Sequence, residues 1–468
     1  MDKADIPFLS AADLSRLIQG KEVSPVEATE AYLERIDSLD FKFNSYLALC
    51  SEEALRAARE AEGAIARGNY LGPMHGLPVA VKDQLWSKGV RSTGGSRILA
   101  DFIPDEDATA IANLKRAGAI LLGKTNLTEF AMTYSHCYRT PRNPWDLDYS
   151  PGGSSSGSGT ATCAFLCATS VGEDTGGSIR RPAAWSGVVG LKPTWGLVSR
   201  YGVMPGAWSM DAIGPISRTV EDAAITLGAI AGYDPKDPYT WNTPVPDYRS
   251  ALDGNIGGMR VGIIAEQIDS DVVDPEVGDA VVAAASVLEG LGATVEEVSI
   301  PLTRHMTDIS GLIMRVDEAS KHRTWIRERL RDYSHDLQIA HLTGSILPAQ
   351  VYYKAQKLRS LLRTQVLDTL QDHDVLVLPT SGRTAPRLED GPRVITSKEM
   401  APSWPFMRTS AFSLASTPAI SVPCGFGSSG LPIGLQITGR PGEDGAVLKV
   451  AHAYEQRTPW HTMRPTHA

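Results

Sequence analysis

"SPGGSSSGSGTA", Ser150 to Ala161, holds eight consecutive glycines and serines between Gly152 and Gly159. How that run is read decides the architecture. As a flexible linker it would separate two domains; as a turn entering a helix it would lie inside one core. The residues that follow, "TATCAFLCATSVG" (Thr160–Gly172), are small and apolar with helical spacing, which suits a buried helix. The run therefore leads into the core. A glycine-rich turn ahead of a helix amino terminus offers backbone N–H groups to an anion or oxyanion.

Upstream, "GLPVAVKD" (Gly76–Asp83) is a short apolar run that opens at a proline and ends in Lys82 and Asp83. It predicts a buried strand with two charges at its carboxyl end, where open α/β sheets place their chemistry. "DATAIANLKRAG" and "AILLGKTN" read as a helix and then a strand. "MRVGIIAE", "DAVVAAASVLEGLG" and "ATVEEVSI" repeat strand, helix, strand further on. An α/β sheet protein follows. Towards the amino terminus, Ser24, Pro25 and Glu27 form a capping-box start for the helix "SPVEATEAYLERIDSL", and "SEEALRAAREAEGAIARG" is a second amphipathic helix. Pro-rich polar stretches at Gly232–Pro246 and Ser381–Ser403 are expected to be surface excursions of one large domain.

With 468 residues, 42% hydrophobic and 21% charged, the chain can bury a sizeable core. Its net charge of −9 argues against nucleic acid and anionic membranes, leaving neutral small molecules. The five cysteines include no CxxC pair, so neither a disulfide framework nor a zinc site is expected, and a reducing cytoplasm fits. The start lacks a leader-type apolar region, and no stretch reaches the ~18 apolar residues of a spanning helix.

Three chemistries can use the Gly/Ser turn. Phosphate binding needs GxxxxGK[ST], or a strand followed by GxGxxG, and neither is present. An α/β-hydrolase elbow is matched formally by "GSSSG", Gly153–Gly157, with Ser155 as nucleophile. The strand it needs is missing, because "NPWDLDYSPG" carries two prolines and no β-branched run. The third chemistry is a serine hydrolase with lysine as base. A second cluster supports it: in "GEDTGGSIRRPA" (Gly172–Ala183), Thr175, Gly176 and Gly177 precede Ser178 and expose consecutive N–H groups beside a hydroxyl.

"GLPVAVKD", "SPGGSSSGSG", "GEDTGGSIRRPAAWSGVVGLKPTWG" and "SMDAIGPISR" together resemble the amidase signature family of serine hydrolases. The resemblance runs from "SPVEATEAYLERI" to "TPAISVPCGFGSSGLPIGLQITG" and is weak only between about Tyr233 and Ala355. It implies a Ser-cisSer-Lys triad of Ser178, Ser154 and Lys82, with a cis peptide bond at Ser154. It also implies an oxyanion hole from the N–H groups of Thr175, Gly176, Gly177 and Ser178, and a pocket bordered by Ala131, Met132 and Tyr134. Ser155, Asp174 and Arg180 are expected to brace the site. The offset of 24 positions between Ser154 and Ser178 leaves room for a helix and a short strand, so the two turns can return to each other. A lysine serves as base only when its amine is neutral, which burial favours. Asp83 is otherwise an obvious ion-pair mate for Lys82. Glu173 stands where the family usually has serine or threonine, and an anion there opposes a neutral lysine unless Arg180 or Arg181 neutralises it.

The expected fold is a single α/β/α domain over residues 1–468, with a mixed, mostly parallel sheet covered by helices on both faces. Residues 1–68 would be a helical cover, 69–230 the catalytic core, 231–370 a variable helical and βα insertion, and 371–468 the carboxyl-terminal part of the core. The expected function is a cytoplasmic amidohydrolase, able to form a homodimer. It would cleave a C–N bond of a small amide, aryl acylamide or carbamate through an acyl-enzyme, without metal, cofactor, nucleic acid or membrane. One alternative is the amidase-type subunit of a glutamine-dependent tRNA amidotransferase; another is an esterase using Ser155. The amidotransferase reading calls for an acid and an arginine to hold glutamine. Ser429 stands where that acid is looked for, and Ile339 and Ala340 stand where the arginine is.

Overall fold

A computed structural model describes residues 2–388 and 406–468. The strands are β1 (Tyr46–Leu49), β2 (Pro78–Lys82), β3 (Ile120–Thr125), β4 (Thr169–Asp174), β5 (Val189–Lys192) and β6 (Ala212–Ser217), then β7 (Arg260–Ile264), β8 (Thr294–Val298), β9 (Val375–Pro379), β10 (Ala419–Phe426) and β11 (Pro432–Gly439). They form one eleven-stranded sheet in the order β1-β3-β2-β4-β6-β5-β10-β11-β9-β7-β8. Period-two packing shows both faces covered: on β9, Val375 and Val377 join one apolar cluster while Leu376 and Leu378 join the other. The first cluster includes helices Val220–Ile230, Pro275–Gly290 and Asp444–Arg457; the second includes helices Met306–Lys321 and Ala349–Asp372.

The sheet is mixed, but not mostly parallel. β2 runs parallel to β3 and β4, and β7 to β8 and β9, whereas β1·β3, β4·β6, β5·β6, β5·β10, β10·β11 and β9·β11 are antiparallel. The strand-helix-strand stretches that suggest parallel pairing form the two flanks. Between them, β10 and β11 are joined by a turn too short for a crossover and must pair antiparallel.

The expected helix start at Ser24 carries a full capping box: the Ser24 side chain accepts from the backbone of Val26 and Glu27, and Glu27 reaches back to the Ser24 N–H. Such a cap contributes about 1 kcal/mol. Residues 232–246 are a surface excursion, anchored where the Asp237 carboxylate pairs with Arg200 at 2.9 Å. The other expected excursion, Ser381–Ser403, lies largely outside the described residues. Among the described residues, no helix is long and apolar enough to cross a membrane.

The Gly/Ser run is packed, not floppy. Every residue of the helix Ser156–Cys163 is buried. The Gly157 N–H donates to the Asn126 carbonyl at 2.8 Å, so that donor is unavailable to an anion. A Cβ at Gly157 would lie 2.3 Å from the Ser45 carbonyl oxygen and 2.5 Å from the Asn126 nitrogen. Gly157→Ala is therefore expected to destabilise the fold by about 1–3 kcal/mol or more, read from the urea midpoint, because two backbone segments must move. Gly311→Ala, in a helix where an added Cβ meets nothing within 4 Å, is the control, and should be neutral or stabilising.

Candidate active site

Strand β2 delivers Lys82 from an apolar run into the interior, where it is fully buried. Its Nζ lies 2.7 Å from Ser154 Oγ, 3.0 Å from Glu173 Oε2 and 3.3 Å from the Glu173 carbonyl oxygen. The Gly153–Ser154 peptide bond is cis. Arg181 Nε donates to the Gly153 carbonyl at 2.7 Å, and the Ser154 carbonyl accepts from Thr128 N–H at 3.2 Å. Ser155 N–H donates to the Ser178 carbonyl at 3.1 Å, which ties the two glycine-rich turns together as the helix-plus-strand spacing suggests. Lys82 and Ser154 have no solvent exposure, whereas Ser178 keeps 7%.

The expected mate for Lys82, Asp83, goes elsewhere. It accepts from Thr93 N–H and Oγ1 at 2.7 and 2.6 Å and lies 3.6 Å from Lys124 Nζ. Neither arginine neutralises Glu173. Arg180 binds Asp174, while Arg181 holds the Gly153 carbonyl. Burial pushes Lys82 below the usual lysine range and raises Glu173 above the usual carboxylate range.

The Thr175–Ser178 turn departs from expectation at one donor. Gly177, at φ +134°, gives its N–H to Asp174 Oδ1 at 2.7 Å, so it cannot also serve an oxyanion. Asp174 braces the turn further by accepting from Ile179 N–H at 3.1 Å. Thr409 Oγ1 donates to the Gly176 carbonyl at 2.5 Å, and a Cβ on Gly177 would lie 2.2 Å from that hydroxyl. Ser155 is a buried residue at the start of a helix, and its Oγ donates to the Glu173 carbonyl at 3.2 Å. Turns precede it, with no strand, which removes the elbow reading. Met132 packs against the apolar cluster of Phe130, Tyr333 and Leu337, Ala131 sits at φ +65°, and the Tyr134 hydroxyl lies 2.8 Å from Ser150 Oγ.

Sequence motifs miss two carboxylates here. Asp211 sits inside "SMDAIGPISR", and its Oδ1 lies 2.7 Å from Thr175 Oγ1. Glu318, on the helix Met306–Lys321, comes from the weakly matched region; burial raises it far above the usual range, and Glu173 is among the charges that add to the shift.

Residues 27–448 match the amidase family. The chain belongs to the amidase signature family. A curated relative from Moorella thermoacetica, one of the subunits of its glutamyl-tRNA(Gln) amidotransferase, is 40% identical over 487 residues, spanning 98% of this chain and 99% of the relative. Among solved structures, a protein from a vestigial complex that bears on the origins of an s-triazine catabolic enzyme superposes with TM-score 0.89 at 32% identity. It covers 96% of this chain and 98% of its own. The corresponding glutamyl-tRNA(Gln) amidotransferase subunit from Thermotoga maritima superposes with TM-score 0.81 at 32% identity, covering 97% and 96%. Family membership places the chemistry of this amidase signature chain at a carbon–nitrogen bond.

These relatives overturn two expectations. A free-standing amidohydrolase of small amides or carbamates gives way to the alternative of an amidotransferase component, because the near-full-length relatives carry that name. The expectation of small-molecule partners without nucleic acid falls with it. Net charge is a weak guide to partners, because it sums the whole chain and hides how charge is distributed over the surface. Of the looked-for handle positions, Ser429 is exposed on the β10–β11 turn, and Ala340 packs in the apolar cluster around Phe130.

Proposed function

We propose that this chain is the amidase-type subunit of a cytoplasmic amidotransferase acting on glutamyl-tRNA(Gln), in which it releases ammonia from an amide donor. The observation that carries this reading is 40% identity along 98% of the chain to subunits of that name. Ser178 attacks the amide carbonyl while Ser154 takes its proton and passes its own to Lys82. The N–H groups of Thr175, Gly176 and Ser178 face the oxyanion. Lys82 then returns the proton through Ser154 to the departing nitrogen, and water cleaves the acyl-enzyme.

The test is glutamine hydrolysis, read as ammonia and glutamate, by the chain alone and with its co-purified partner subunits and glutamyl-tRNA(Gln). Glutamine turnover in the assembly, accompanied by amidated tRNA, is expected. Rapid turnover of simple amides or carbamates by the isolated chain, with no glutamine hydrolysis in any assembly, would overturn the reading.

A further inference from the structure

The acid beside the lysine base resolves through a count of hydrogens. Thr175 Oγ1 lies 2.6 Å from Glu173 Oε1 and 2.7 Å from Asp211 Oδ1. Both are hydrogen-bond distances, yet a hydroxyl carries one hydrogen, and an ionised carboxylate only accepts. One of the two carboxyls must therefore supply a proton. Asp211 already accepts from Gly206 N–H on Oδ2 and Ala207 N–H on Oδ1, both at 2.9 Å, which favours its anion. The proton thus belongs on Glu173 Oε1, donating to Thr175, which in turn donates to Asp211.

The surroundings of Lys82 agree. Of its three contacts, the Glu173 carbonyl oxygen and, with Glu173 protonated on Oε1, Glu173 Oε2 can only accept, while Ser154 Oγ can donate. A neutral amine has two hydrogens and one lone pair, and this set of partners takes both hydrogens and leaves the lone pair facing Ser154. We propose that Glu173 is carried as a neutral carboxylic acid and positions an unprotonated Lys82 so that its lone pair meets the Ser154 hydroxyl. The proposal rests on Lys82 acting as the base.

The proton balance closes. On attack, the Ser178 O–H breaks as its oxygen bonds the carbonyl carbon, Ser154 relays the proton, and Lys82 becomes an ammonium as the oxyanion forms. Glu173 keeps its proton throughout. The charged and titratable groups that act on the pair are Asp174, Asp211 and Glu318, with Arg180 against Asp174 and Lys321 against Asp211 and Glu318. Asp174 is matched by Arg180 and Asp211 by Lys321, so neither cation is left to balance an ionised Glu173.

The experiment follows covalent labelling of Ser178 in the full chain by a small sulfonyl fluoride, read by intact mass across pH, so no natural substrate is needed. E173A is expected to slow labelling about tenfold or more, because the amine loses its orientation. E173Q should recover most of that loss, its carbonyl facing Lys82 and its amide facing Thr175, with the acid-limb midpoint within about half a unit of wild type. The wild-type minus E173Q infrared difference spectrum should carry the band of one protonated carboxyl. If Glu173 were an ionised counter-charge, E173Q would lower the Lys82 pKa and move the midpoint down by about one unit or more. That shift, or an E173A rate equal to wild type, overturns the proposal. K82A separates the two failures: labelling of K82A at the wild-type rate sinks the lysine-base reading itself, whatever the Glu173 variants do.

Discussion

Ser178→Ala is expected to abolish turnover and covalent labelling together, a loss of roughly four to six orders of magnitude, with the melting transition unmoved. A nucleophile has no substitute in an acyl-enzyme mechanism, and Ser178 is the one of the three serines Ser154, Ser155 and Ser178 that keeps measurable exposure. Lys82→Ala removes the proposed general base and should cost roughly 10²–10⁴-fold. Ser156→Ala serves as the control, because the Ser156 hydroxyl is buried without a partner and its removal should leave the rate within about twofold. The pH dependence carries a definite sign. Burial disfavours the lysine cation, so the neutral amine that the proposed mechanism requires prevails from a pH below the ordinary lysine value of about 10.4. Activity should rise from acid pH to a plateau whose midpoint lies below that value. A fully active Ser178→Ala, or activity that falls as pH rises through the neutral range, would remove this mechanism.

The legible part of the molecule is local. Lys82 ends an apolar run that reads as a strand, and Ser154 and Ser178 lie in glycine-rich turns whose spacing admits one helix and one strand; the fold places a helix and β4 between them. Burial and adjacency carry these inferences, and both show in a short window. What is not legible depends on distant chain. Thr409, which braces the Gly176 carbonyl, lies more than two hundred positions away. Glu173 stands out in the sequence only as an unusual residue, since its meaning depends on Thr175 bridging to Asp211, and β4 and β6 bring those together antiparallel. The sheet's central antiparallel strands escape the sequence pattern because the strand-helix-strand flanks dominate it. The substrate class is not legible for a related reason: Ser429 and Ala340 occupy the looked-for positions along the chain, but one is on an exposed turn and the other in an apolar cluster.

Asp174→Ala is expected to be the most damaging change to stability, about 3–5 kcal/mol by urea unfolding, because it leaves the fully buried Arg180 guanidinium without its counter-charge. The pair is bidentate, with Arg180 Nε 3.0 Å from Asp174 Oδ2 and Nη2 2.8 Å from Oδ1. The remaining guanidinium hydrogens go to the Thr409 carbonyl at 2.8 Å, Gln436 Oε1 at 2.7 Å and Ser413 Oγ at 2.8 Å, which joins the Ser178 turn to the carboxyl-terminal part of the sheet. Arg180→Lys cannot reproduce this fork and should lose nearly as much. The acid response follows from the same geometry. Burial alone would raise Asp174, but Arg180 outweighs it and holds the carboxyl at about 2. A folded value below the unfolded one of about 3.9 means the stabilisation is complete above pH 4 and disappears as pH falls towards 2, a contribution of roughly 2–3 kcal/mol. Asp174→Asn, which cannot titrate, should flatten that part of the stability-versus-pH curve while lowering stability at neutral pH. Because Asp174 also holds the Gly177 and Ile179 N–H groups, the same variants should slow Ser178 labelling even where the fold survives. An Asp174→Ala protein with wild-type stability and labelling rate would show that the turn is held by other contacts.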